Sequence, residues 1–280
     1  MQGDPSEVIC RARAGDRAAF DELASAHTRK LRAVIRRMVG HPQDTDDLVQ
    51  DTLLRAFEKL GDFRGDAKFG TWLCTIGARL SLDYLRTRKR WRLRAQAIAE
   101  HQCRTDPKVF EDFTRAMSGP DDAFDVHEHI AFCFTCVART LSPQETAALM
   151  LRDAIDHSTR EAAAALGVSS SVLRHTLARA RAHMQDKFEG LCTLVNKQGA
   201  CWQCESLRDS APPAKRGPVL PVLSVSGNPH NQYQRRLQIV RAADTDQGRT
   251  QALHDFSWRM LERNERLRLE PTDGSEHSSD

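Results

Sequence analysis

The sequence has no apolar run long enough to cross a membrane. Nothing in its 280 residues approaches the roughly 18 consecutive apolar residues that a spanning helix needs. Its start, MQGDPSEVICRARAGDR, lacks the apolar core of a secretory signal. Both absences point to a cytoplasmic protein, in a compartment that keeps thiols reduced. Its eight cysteines are then expected as metal ligands or redox sensors rather than as structural disulfides. Aromatic residues are scarce at 6%, and no run alternates apolar and polar residues as a half-buried strand would. No internal repeat is present. Net charge is only +3, too small for bulk charge to favour one class of partner.

Charged residues make up 28% of the chain, and Ala, Leu and Arg are abundant, which suits an all-α fold. The length allows two compact domains with connecting material. Residues 16–39 form a long amphipathic stretch broken by Gly40-His41-Pro42, and Asp44 or Thr45 is the expected cap of the next helix. There Val49, Leu53, Ala56 and Leu60 recur at 4-3-4 spacing as a buried stripe. Asp47, Asp51 and Glu58 carry the opposite face, with Leu54 exposed among them. The loop GDFRGDAKFG leads to a third helix, TWLCTIGARLSLDYLRTRKRWRLR. Residues 95–139 read as a lengthy connector, broken by Pro107 and by Ser118-Gly119-Pro120. Beyond it Ser142 caps a helix with Pro143 in its first turn. A short helix near 158–165 runs into the turn Leu166-Gly167-Val168, and Ser169 caps a long helix with Leu173, Leu177, Ala180, Met184 and Phe188 on its apolar face. The Pro-rich stretch 211–229 reads as an irregular linker and 230–268 as a short helical pair.

Three features carry function. The helix–Gly turn–helix at 158–187 has the layout of a DNA-binding helix-turn-helix, with Ser171, Arg174, His175 and Ala178 away from the apolar stripe and Arg179 and Arg181 on its flanks. Small residues let such a helix enter a major groove, and Arg174 could bond guanine edges or phosphates. A plain hairpin with a solvated basic face has the same pattern. The run Arg79–Arg94 holds seven Arg or Lys against one Asp. Phe69 and Trp72 precede it, and Tyr84 and Trp91 interrupt it. These rings could stack on unpaired bases, or pack in a core. The acidic face with exposed Leu54 suits a protein partner with a basic, partly apolar surface.

Together these features have a familiar order. DTDDLVQDTLLRAFEKLGDFRGDAKFGTWLCTIGARLSLDYLRTRKR resembles region 2 of the extracytoplasmic-function (ECF) sigma factors of bacterial RNA polymerase, members of the sigma-70 superfamily. LSPQETAALMLRDAIDHSTREAAAALGVSSSVLRHTLARARAHM is similar to their region 4. The resemblance implies two helical domains joined by a long linker: region 2 over 10–94, the linker over 95–137, and region 4 over 138–190. A Cys-rich segment (191–210), a Pro-rich linker (211–229) and a helical extension with a disordered tail (230–280) follow. It implies that Asp47, Gln50, Asp51 and Arg55 dock on the clamp helices of the largest polymerase subunit. The loop Phe63–Phe69 and the helix from Thr71, with Phe69 and Trp72 as walls, would capture an unstacked base of the −10 element. Arg79, Arg86, Arg88 and Lys89 would hold phosphates, and Ser170, Ser171, Arg174 and His175 would address the −35 element. The partners implied are RNA polymerase core enzyme and promoter DNA, with a separate anti-sigma factor as a further candidate, and the subunit itself catalyses nothing. A stand-alone, metal-responsive helix-turn-helix regulator is the rival; it leaves the acidic face and Thr71–Arg94 without a role.

The cysteines depart from a minimal two-domain sigma factor. HEHIAFCFTC spaces His129, Cys133 and Cys136 as H-x3-C-x2-C, on one face if helical, and CTLVNKQGACWQC adds Cys192, Cys201 and Cys204. The first spacing resembles that of zinc-binding anti-sigma domains. Cys133, Cys136, Cys201 and Cys204 combined make an all-thiolate tetrahedron for zinc or another thiophilic metal, with His129 and Cys192 as spare ligands. Such a site would tie the linker to the tail of region 4 and set interdomain geometry. C-x2-C spacing equally suits a reversible dithiol switch, and buried cysteines need no ligand at all. A catalytic zinc would instead keep an open position beside an acid or base. Cys10, Cys74 and Cys103 lack partners at ligand spacing and read as structural.

Overall fold

The computed structural model describes residues 5–65, 67–88, 95–116, 126–192, 204, 209, 213–215, 229–242 and 251–267; the regular elements among them are helical. Helix α1 (Pro5–Arg13) turns into α2 (Arg17–Val39) at Asp16, whose carboxylate accepts from the Ala19 amide at 3.0 Å and from Arg11 at 2.6 Å. α2 stops at Gly40, which takes the left-handed φ of 80° and donates its N–H to Arg36. Helix α3 (Pro42–Glu58) begins before the expected Asp44/Thr45 cap. His41 is the cap, its ring accepting from the Asp44 amide at 3.4 Å, and Pro42 fills a first-turn position where no N–H is needed. Thr45 turns inward and donates to the His41 carbonyl at 2.6 Å.

After a short 3-10 turn (Leu60–Asp62), α4 (Phe69–Thr87) completes the first domain. Phe20, Leu31, Val34, Ile35 and Met38 of α2, all fully buried, pack against the Val49–Ala56 side of α3 and against Leu73, Ala78 and Leu82 of α4. The predicted α3 stripe is largely inward: Val49, Ala56 and Leu60 are buried and Leu53 is half-buried.

The stretch after α4 is more ordered than a connector broken by Pro107 would be. α5 (Ala95–Thr105), α6 (Pro107–Ala116) and α7 (Val126–Ala138) lie within it. Pro107 marks the expected break: α5 ends at Thr105 and α6 starts at Pro107, with Asp106 accepting from the Lys108 amide at 2.9 Å. The second domain follows the expected caps. Ser142 and Glu145 form a capping box on α8 (Pro143–Leu149), which continues through a π-helical turn at Met150–Ala154. Ser158 and Glu161 form another on α9 (Thr159–Leu166), Gly167 closes that helix at φ 66°, and Ser169 caps α10 (Ser170–Leu191). The C-terminal helices α11 (Pro229–Ala242) and α12 (Gln251–Leu267) pack on the rest of the fold: α11 on α7, α12 on α5 and α6.

Gly40 matters twice, because a Cβ there would lie 2.6 Å from Cζ3 of the buried Trp258 ring. Gly15 has φ 93° with nothing within 4 Å of the same position. Gly15→Ala is expected to lose only the backbone cost, about 1–2 kcal/mol. Gly40→Ala is expected to lose about 1–3 kcal/mol more from overpacking. Urea unfolding compares them; equal losses would mean that Trp258 is not held against Gly40.

Candidate nucleic-acid and protein interfaces

Among the described residues, nothing covers the outer face of α3. Asp47, Gln50, Asp51, Arg55 and Glu58 are exposed, and Leu54 is 51% exposed among them. An apolar side chain ringed by carboxylates on a rigid helix suits docking on a basic partner.

The aromatic residues beside the α3–α4 loop cluster with one another. Phe69 is buried, 6.4 Å from Phe20 and 5.7 Å from Phe63 between ring centres. Trp72 is half-buried and stands 5.2 Å from Phe63 and 5.6 Å from Phe69. Edge-to-face packing of this kind fixes the loop against α4. Trp72 also lines a cleft of about 340 Å³ shared with Arg55, Lys59, Asp62, Ile76, Arg79, Leu80 and Asp83. The structure thus brings together Arg55, Trp72 and Arg79, which the sequence assigned to different partners. The other basic residues of α4 are locally paired. Arg86 reaches Asp83 at 2.9 Å, and Arg88 lies over the Tyr84 ring, 3.8 Å from Asp44. Tyr84 itself donates to Asp44 at 2.6 Å, and burial with that bond raises its pKa. Lys89 and Trp91 lie outside the described residues.

On α10 the exposed face holds Ser171, Arg174, His175 and Ala178, with Ser170 half-buried. Val172 is 50% exposed in the same turn. The sequence reading passed over it because valine in an amphipathic helix is usually core, yet an exposed methyl pair can meet a thymine methyl. Of the flanking arginines, Arg181 is held by the protein itself and Arg179 stays largely exposed. Arg181 grips the buried Asp153 at 2.6 and 2.9 Å, and Arg179 approaches Glu145 at 3.5 Å.

Of the proposed metal ligands, Cys133, Cys136, Cys192 and His129 are buried and Cys204 is half-buried, while Cys201 lies outside the described residues. Among the described residues, no three His, Cys, Asp or Glu side chains converge as a metal-binding set. Cys133 and Cys136 share a helix but face different cations. Burial raises both thiol pKa values, Cys133 to about 11 beside Arg236, and Cys136 well above its ordinary value beside Arg139 and Arg36. Arg236, 1% exposed, donates to Cys192 Sγ at 2.9 Å. Burial opposes its charge, and the thiols of Cys192, Cys133 and Cys204 more than offset this. A guanidinium, that of Arg236, stands beside the Cys192, Cys133 and Cys204 thiols, and the fourth proposed ligand, Cys201, lies outside the described residues.

Two comparisons with known proteins bear on these surfaces. The family model for Sigma-70 region 2 matches residues 9–91, and that for Sigma-70, region 4 matches residues 131–184. The RNA polymerase sigma factor NccH of Alcaligenes xylosoxydans xylosoxydans is 33% identical over 186 residues, covering 65% of this chain and 94% of NccH. The chain belongs to the ECF sigma factor family. The ECF RNA polymerase sigma factor SigM of Mycobacterium tuberculosis is 30% identical, covering 68% of this chain and 88% of SigM. SigG of the same species is 33% identical over 58% of this chain, which spans only 47% of SigG. No described helix of this sigma-family chain is long and apolar enough to cross a membrane.

Burial also sets a pH limit on the packing of α12 against α7. His129 is fully buried with its pKa held down at about 4, and His254, stacked on Phe132 at 4.2 Å, is pushed well below the ordinary value. Both are neutral in the folded protein, so their contribution is complete above about pH 6.5 and is lost as pH falls towards 4. For His129 alone, on the order of 3 kcal/mol should disappear over that window, and His254 adds to the loss in the same direction. Thermal melts from pH 7.5 to 4.5 check this: His254→Gln should flatten the acid side of the profile, and an unchanged slope would remove the histidines as its cause.

Proposed function

We propose that this chain is a promoter-recognition subunit of bacterial RNA polymerase, which brings the core enzyme to specific promoters and takes part in their opening. The observation that carries this is the exposed α3 face, Asp47, Gln50, Asp51, Leu54 and Arg55, on the same chain as the exposed Ser171–His175 face of a capped helix-turn-helix. A DNA-only regulator needs the second surface but has no use for the first. In this reading the α3 face holds the core enzyme, the cleft beside Trp72 and Arg79 receives DNA of the −10 element, and α10 addresses the −35 element. The subunit performs no bond chemistry; positioning is its contribution, and the polymerase acts. A core enzyme and DNA as partners would place the chain in the cytoplasm.

Asp47→Arg with Asp51→Arg is expected to abolish association with core polymerase while leaving circular dichroism unchanged, since the two residues are exposed and support no packing. Near wild-type core affinity in that variant would exclude the α3 face as the docking surface. Arg174→Ala is expected to reduce discrimination at the −35 element by about 1–3 kcal/mol if the side chain bonds guanine. Competition binding against −35 variants measures it; a loss equal on all sequences would make Arg174 a phosphate contact.

A further inference from the structure

The two DNA-binding domains touch through a surface that promoter binding needs to part. Arg79 of α4 donates to the Ala165 carbonyl at 3.0 Å and the Ala164 carbonyl at 2.9 Å. It thereby caps the carbonyl end of α9, the helix leading into the Gly167 turn and α10. The −10 and −35 elements are about 25 base pairs apart by name, roughly 85 Å at 3.4 Å per pair. α10 has 22 residues and is about 33 Å long. With Arg79 bonded to α9, the cleft and the Ser171–Arg174 face cannot lie on both elements at once. The domains have to separate.

The C-terminal helices bridge the same two domains. Towards region 4, Arg241 donates to the Asp153 carbonyl at 2.5 Å and faces Asp156 at 3.5 Å, and Arg236 lies over the Phe188 ring at 4.1 Å beside its bond to Cys192. Towards region 2, Arg37 donates to the Val240 carbonyl at 2.9 Å, and Trp258 packs on Gly40 and 5.6 Å from the His41 ring. α12 also lies on α5 and α6, so it holds part of the linker folded. Released and extended, the 43 residues of 95–137 could span about 140 Å, more than the promoter requires.

We propose that α11 and α12 form an intramolecular clasp: a surface whose partner is this chain's own pair of DNA-binding domains, and which has to let go before both promoter elements can be engaged. The inference rests on the sigma-factor reading above and adds a regulator in cis to it. The clasp is built mostly from arginines donating to carbonyls and a thiol, contacts that a competing surface can replace one at a time, and Trp258 supplies its apolar anchor.

Two full-length variants test it. Arg241→Glu sets a carboxylate against Asp156 and removes the bond to Asp153, at an exposed position that does not support the core. Trp258→Ala removes the ring at Gly40. Hydrogen exchange and promoter-complex formation with core polymerase are measured on each. The expected result is faster exchange at the α4–α9 contact in both variants. Promoter-complex formation should rise roughly tenfold for Arg241→Glu, the scale of one lost charge-assisted hydrogen bond, with core affinity unchanged. Unaltered exchange at α9 and unaltered promoter binding would overturn the clasp. So would faster exchange confined to α11 and α12, because the extension would then be attached without restraining the domains. If the wild-type chain binds no core polymerase, the sigma-factor reading falls, and the exchange at α9 still decides whether the clasp exists.

Discussion

The buried face of α2 is the constraint on which the rest of the architecture hangs. Leu31, Val34, Ile35 and Met38 are fully buried, and the helix they line packs against both α3 and α4. A 23-residue helix also outruns the small domain it organises. Its far end, from Arg36 to Gly40, becomes the seat for α7 and Trp258. One rigid element therefore positions the exposed α3 face, aligns the cleft between α3 and α4, and receives the C-terminal extension. Apolar burial fixes these relationships because a side chain in a close-packed core has no second place to go.

Electrostatics joins the pieces that apolar packing leaves separate. Arg79, Arg37 and Arg241 each reach across to a backbone carbonyl of another element, and Arg181 crosses to Asp153. Such bonds satisfy acceptors without requiring a large apolar contact. Among the described residues, Arg36, Arg139 and Arg236 go further and are themselves buried. Burial holds the Arg36 pKa down at about 10, and Arg139 is lowered too, whereas the thiols around Arg236 raise its own. The cysteines beside Arg236 thus act as the acceptor environment of a buried cation, a role for which carboxylates are commoner.

Much of the first and second domains was legible in the chain. The 4-3-4 stripe of α3 and the apolar face of α10 lie inward, and Ser142, Ser158 and Ser169 each cap a helix. These signals are local: periodicity and capping act within one or two turns and need no knowledge of neighbours. The exposed set Asp47, Asp51 and Leu54 followed from the same periodicity, since a face opposite a buried stripe points away from the core. The breaks at Gly40-His41-Pro42 and at Pro107 fall where expected, and what differs is that His41, not Asp44 or Thr45, caps α3 and that helices flank Pro107. Either a histidine ring or a proline can serve at a helix start, and the sequence pattern alone had treated both as punctuation.

The sequence by itself determined the main helices of the two sigma-like regions, which face of each is apolar, and that the set matches two sigma regions, but not the helices α5 to α7 between them. Tertiary structure alone decided that Arg79 spends its donors on α9, that Phe69 lies in a core, that Cys133 and Cys136 answer to different arginines, and that the C-terminal helices lie across both domains. Most of those outcomes depend on partners far away in the chain. Arg37 meets Val240 across 203 positions and Arg79 meets Ala165 across 86. Closing loops of such length costs little more than closing short ones. Sequence separation therefore does not say which distant partner a side chain will take; the shapes and charges of the assembled surfaces do.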